Sequence, residues 1–185
     1  MIRKRRVMAA AAAVLIVLGG ASYAIAGAMS GPSDPPETKR FKATLSGFQE
    51  VPSVSTTGFG SFHARLVSDE EIEYTFTYAG LEGGHSLFAH IHFGQRNVNG
   101  GVSVFLCGGG SKPDPCPNVE GTVTGTLVPS DVVGPNAQGI EPGSWGELLR
   151  ALRAGHTYAN IHTTRWPGGE IRGQINDRDQ RTFGG

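Results

Sequence analysis

Six of the 185 residues are histidines, and three are spaced so that they can act together. The first segment is Ala89-His90-Ile91-His92-Phe93-Gly94. On a strand side chains alternate faces, so His90 and His92 point one way while Ile91 and Phe93 point the other. The second segment is Tyr158-Ala159-Asn160-Ile161-His162-Thr163, followed by Pro167-Gly168-Gly169-Glu170-Ile171-Arg172-Gly173-Gln174. It also reads as strand, and beside the first it brings His162 to the other two imidazoles. Three imidazoles from two strands make either a transition-metal site or a polar, hydrogen-bonded core. In the metal reading the ion is copper or zinc, and Glu170 supplies an oxygen ligand or an acceptor that fixes an imidazole tautomer. His63, His85 and His156 read as surface or turn residues.

Other residue types point to fewer kinds of chemistry. Cys107 and Cys116 flank a Gly/Pro loop, and outside the cytoplasm an even pair this close reads as a disulfide. The alternative is two free thiols. Arg172 shares a strand face with Glu170 and Gln174, and it can pair with Glu170 or, across strands, with Glu50. Trp145 and Trp166 read as lid or core residues. No Gly-rich phosphate loop opens a helix, no serine lies in a nucleophile elbow, and no carboxylate pair has an acid/base setting. Hydrolase chemistry has no support in the sequence.

The elements that must hold these residues are mostly strands. Period-two runs fall at 41–45, 58–67, 72–78, 87–93, 102–106, 119–128, 157–163 and 170–175, rich in aromatic and β-branched residues. Ser68-Asp69-Glu70-Glu71 reads as a hairpin connection. Residues 141–155 instead have helical spacing. Ser144 and Glu147 form a capping box, and Gly155 is placed as a C-terminal stop. The expected fold is all-β: an antiparallel β-sandwich or Greek-key barrel of about eight strands, with one short helix in the C-terminal part.

The ends and the charge bound the setting. Arg3, Lys4, Arg5 and Arg6 precede an apolar run, and Ala24-Ile25-Ala26 ends it, the pattern of a secretory signal peptide over 1–28. An uncleaved membrane anchor over 7–26 is the rival reading, and it is the chain's one expected membrane contact. Residues 29–40 form a polar, Pro-rich linker, 41–176 the domain, and 177–185 a polar tail. The leader takes four of the 16 basic residues and none of the 16 acidic ones. A mildly acidic mature domain lacks the basic stripe that nucleic acid requires.

Several strings resemble one family in its own order. They are Phe41-Lys42-Ala43-Thr44-Leu45-Ser46-Gly47-Phe48-Gln49-Glu50-Val51-Pro52, the Ala89–Gly94 segment, Ala154-Gly155, the Tyr158–Thr163 segment and Gly168-Gly169-Glu170-Ile171-Arg172-Gly173-Gln174. Together they look like the CHRD domain, named for chordin and also found in bacterial exported proteins. The resemblance implies an extracytoplasmic β-rich domain from about Phe41 to Ile175. The cysteine-rich modules that accompany the domain in chordin are absent from this sequence, and growth-factor antagonism is not carried over. Ala89-His90-Ile91-His92-Phe93-Gly94 is also similar to the copper-binding strand of copper/zinc superoxide dismutases, which implies copper at His90 and His92. The zinc loop and bridging imidazole of that pattern have no counterpart here. The expected function is a secreted binding module for an extracytoplasmic protein or surface, with a histidine site for copper or zinc. Its alternatives are a copper enzyme acting on oxygen species and a purely structural envelope or adhesion domain.

Overall fold

Alternation of apolar and polar residues governs the first three strands: β1 (Arg40–Ser46), β2 (Phe59–Ser68) and β3 (Glu71–Ala79). Phe41, Leu45, Phe62, Ile72 and Phe76 all turn inward and are buried. Each is worth roughly 1.5–3 kcal/mol relative to exposure. The computed structural model describes residues 39–177. The expected leader over 1–28, nearly all of the 29–40 linker and the tail beyond Asp177 lie outside the described residues.

Five further strands complete the sheet: β4 (Ser86–Phe93), β5 (Gly101–Cys107), β6 (Gly121–Leu127), β7 (Thr157–Thr163) and β8 (Ile171–Asp177). Their spatial order is β5-β4-β7-β8-β1-β2-β3-β6, and every neighbouring pair is antiparallel. This is one continuous sheet curled into a nearly closed barrel, the barrel form of the expected fold. Its edge strands approach each other, and the Tyr74 hydroxyl on β3 donates across the seam to the Leu106 carbonyl on β5 at 2.8 Å. Beyond Leu106, Cys107 and Cys116 form the expected disulfide, which closes the loop between β5 and β6.

The helix α1 (Trp145–Arg153) follows β6 and buries Leu148, Leu149 and Leu152. Trp145 is a core residue whose indole N–H donates to the Asp69 carbonyl at 2.7 Å. Ser144 does occupy the N-cap, but its side chain makes no capping bond, and Glu147 pairs forward with Arg150. The capping box is thus replaced by an i,i+3 ion pair. Among the described residues, no helix is long and apolar enough to cross a membrane.

Strands β4, β7 and β8 depart from simple alternation. All seven residues of β7 are buried, and so are Ala89 to His92 on β4 and Ile171 to Ile175 on β8. One face carries Ala89, Ile91, Ala159, Ile161, Ile171 and Ile175 into the apolar core. The opposite face carries polar side chains that are buried as well.

Candidate metal centre

The polar outer face is laid out by strand register. His90 on β4 lies opposite Asn160 on β7, which lies opposite Arg172 on β8. His92 faces Tyr158, and Tyr158 faces Gln174. His162 pairs with Phe88, which sets it diagonally from His90 at a separation long side chains can bridge. On its other side β4 meets β5 with register irregularities between Ala89 and His90 and between Ile91 and His92. Such irregularities re-aim side chains without breaking the sheet.

The three predicted histidines converge. Their ring centroids are 5.1 Å apart for His90 and His92, 4.9 Å for His90 and His162, and 6.2 Å for His92 and His162. One ring nitrogen from each can be chosen so that all three lie within 4.8 Å of one another. All three residues are buried, with 4–7 % of their surface exposed.

On His92 and His162 the second ring nitrogen is held from behind. Nδ1 of His92 is 2.9 Å from the Gly100 carbonyl, and Nδ1 of His162 is 2.9 Å from the Pro167 carbonyl. A carbonyl only accepts, so each Nδ1 carries its proton and each Nε2 is left with a free lone pair. Nε2 of His92, Nε2 of His162 and Nδ1 of His90 have no hydrogen-bond partner. Burial pushes the His90 imidazole down to about 3 and the His92 imidazole to about 4, with nearby histidines adding to the effect. Burial lowers His162 too, against the opposing bond to Pro167. Neutral imidazoles are the protonation state that a transition metal requires.

Glu170 does not join them. Its carboxylate accepts from the Thr56 hydroxyl and the Glu82 amide at 2.7 Å, the Thr163 hydroxyl at 2.9 Å and the Gly83 amide at 3.1 Å. Four donors use the lone pairs a metal would need, so Glu170 ties loops together instead of ligating. Arg172 is also a clamp. Its guanidinium donates to Gln49 O at 2.7 Å, Asn99 Oδ1 at 3.1 Å and Val98 O at 3.3 Å, and lies 4.3 Å over the Tyr158 ring. The ion pairs among the described residues are Arg65–Glu73, Lys112–Asp131 and Glu147–Arg150, and Arg172 makes no such contact with Glu50 or Glu170. Its charge still reaches Glu50, where it opposes the burial that pushes that carboxyl up to about 7.

Tyr158 and Asn160 were not singled out from the sequence, yet both belong to this layer. The Tyr158 ring stacks on His92 with centroids 4.7 Å apart and planes 2° from parallel. Asn160 is buried between the histidine pair and Glu50, and its Oδ1 has no partner. Strand alternation from His162 was the signal for both, since Tyr158, Asn160 and His162 share one face. The carbonyls of Gly100 and Pro167 left no side-chain signature.

Comparison with curated proteins finds no match. The CHRD domain family model matches residues 41–175, a span that contains the three histidines, both cysteines and α1. With well over half of its length matched in this way, the chain belongs to the CHRD domain family.

Proposed function

We propose that this domain is an extracytoplasmic binding module whose histidine cluster holds one copper or zinc ion. The reading is carried by three buried histidines that can bring one ring nitrogen each within 4.8 Å of the others, and by the lack of any hydrogen-bond partner at His90 Nδ1, His92 Nε2 and His162 Nε2. A buried polar atom without a partner costs about 1–3 kcal/mol. Three in one place amount to a large share of a typical net stability of about 5–15 kcal/mol. A hydrogen-bonded polar core satisfies such atoms, whereas a divalent ion accounts for all three at once. An all-imidazole donor set suits copper and zinc, and copper(II) binds more tightly where both are offered. The Cys107–Cys116 disulfide supports an oxidising, extracytoplasmic setting.

The test is elemental analysis of the exported protein, purified without a histidine tag. Close to one equivalent of copper or zinc per chain is expected. His90→Ala/His92→Ala should lose it, and His85→Ala, which changes an exposed residue, should retain it. Full metal occupancy in the double variant, or none in the parent after exposure to both ions, overturns the proposal and leaves the purely structural reading.

Three protein ligands leave a fourth coordination position for a small molecule, as in catalytic metal sites, and this favours a second reading as a copper enzyme acting on oxygen species. The copper-loaded domain would then consume superoxide faster than the same concentration of His90→Ala/His92→Ala with added copper. Equal rates remove the enzyme reading and leave metal holding intact.

A further inference from the structure

The outward face of β1, β2 and β3 carries charge in a pattern separate from the histidine cluster. Ladder register sets Arg40, Arg65 and Glu73 in one row across the three strands. Phe41, Ala64 and Tyr74 form the next row, and Lys42, His63 and Thr75 the one after it. Alternation turns the middle row into the core, where all three residues are buried, while the flanking rows stand outward. A groove of about 410 Å³ runs between them, floored by the middle row and walled by the other two.

Its β1–β2 end is basic. Rows two residues apart are separated by ~6.8 Å and neighbouring strands by ~4.8 Å, so Arg40, Lys42, His63 and Arg65 stand at the corners of one small rectangle. Arg40 lies directly opposite Arg65, an arrangement in which like charges repel. Glu73 relieves only Arg65, at 3.1 Å. No carboxylate among the described residues pairs with Arg40 or Lys42. This concentration of positive charge stands out because residues 29–185 carry 12 basic and 16 acidic residues.

We propose that the groove binds the phosphate monoester of a small soluble ligand. A phosphate monoester brings about two negative charges and three strong acceptor oxygens. Two arginines and a lysine at the corners of the rectangle suit such a group better than a single carboxylate. The remaining length of the groove, toward Glu73 and Thr75, takes the uncharged body of the molecule, to which a carboxylate and a hydroxyl offer acceptors for its hydroxyl groups.

Calorimetric titration with glycerol 3-phosphate at low ionic strength tests this. Saturable one-to-one binding is expected, weakened at least ten-fold in Arg40→Gln/Lys42→Gln and progressively by added salt. Glycerol and acetate at the same concentrations should not compete. The His90→Ala/His92→Ala variant should bind like the parent, which separates this groove from the proposed metal centre. If Arg40→Gln/Lys42→Gln fails to fold, Arg65→Gln and His63→Gln replace it, each expected to weaken binding several-fold. The proposal is overturned by absence of saturable binding, by equal affinity in the charge variants, or by binding confined to phosphatidylglycerol vesicles.

Discussion

Glu50 and Glu170 are both buried, with 5 % and 0 % of their surface exposed, yet the fold treats them oppositely. Glu170 takes four hydrogen bonds from two hydroxyls and two amides. Glu170→Ala strands those donors in the interior, so we expect a loss of roughly 3 kcal/mol or more in denaturant unfolding. Metal stoichiometry should remain unchanged. Burial raises Glu50 to about 7, and its Oε1 has no partner. That difference shapes the response to pH in the metal-free domain. Unfolded imidazoles take up protons below their ordinary 6.5, while His90 stays neutral in the fold down to about 3 and His92 to about 4. The unfolded state therefore binds more protons in that window, and stability falls as pH is lowered from 6.5. Glu50 works the other way: raised from 4.5, its protonated form favours the fold, and that contribution is lost as pH rises through about 7. The histidines outnumber it. With chelator present, the thermal midpoint should drop between pH 6.5 and 4.5, and His90→Ala/His92→Ala should flatten or reverse the drop.

At the scale of elements, strands supply the donor atoms and loops make the site dry. Three segments fold over the outer face. The 47–57 loop is held by Arg172 through Gln49, the 94–100 loop by Arg172 through Val98 and Asn99, and the 164–169 turn by His162 through Pro167. Asn99 ties the first two together through the Val51 carbonyl at 3.1 Å. Gly169 has φ of 126°, and a Cβ there would collide with the Glu50 carboxylate, so the turn can close only over glycine. Gly169→Ala should destabilise the domain by more than about 1 kcal/mol, from backbone strain alone, as read from urea unfolding. The disulfide acts on a different loop, outside this cover. Replacing Cys107 and Cys116 by alanine should lower the unfolding free energy by about 2–3 kcal/mol through loop entropy, without changing metal content.

At the scale of the molecule, all eight strands and α1 fall between Arg40 and Asp177, and β1 pairs with both β2 and β8. The first described element, β1, begins at Arg40. A chain beginning at Glu37 should melt within a few degrees of one beginning at Met29. A broad, early transition would show that the preceding segment packs on the barrel. The two proposed sites use different strands of the sheet, the metal centre β4 and β7 and the groove β1 to β3. They should therefore respond independently to substitution.

Strand alternation made much of this legible from the chain alone. It placed eight strands within a few residues of their bounds and set His90 and His92 on one face, because a period of two is local and survives any tertiary arrangement. The nearby cysteine pair was legible for the same local reason. Alternation could not show that β7 is buried on both faces, since that depends on loops distant in sequence returning over it. It likewise put Arg172 and Glu170 on one face without revealing that Arg172 turns to loop carbonyls and Glu170 to four donors from other segments. The capping box failed because Glu147 found Arg150 on its own helix instead. Sequence determined which residues face together. Tertiary structure decided which of those faces are dry, because burying the histidine face takes backbone carbonyls and amides that have no side-chain signature to read.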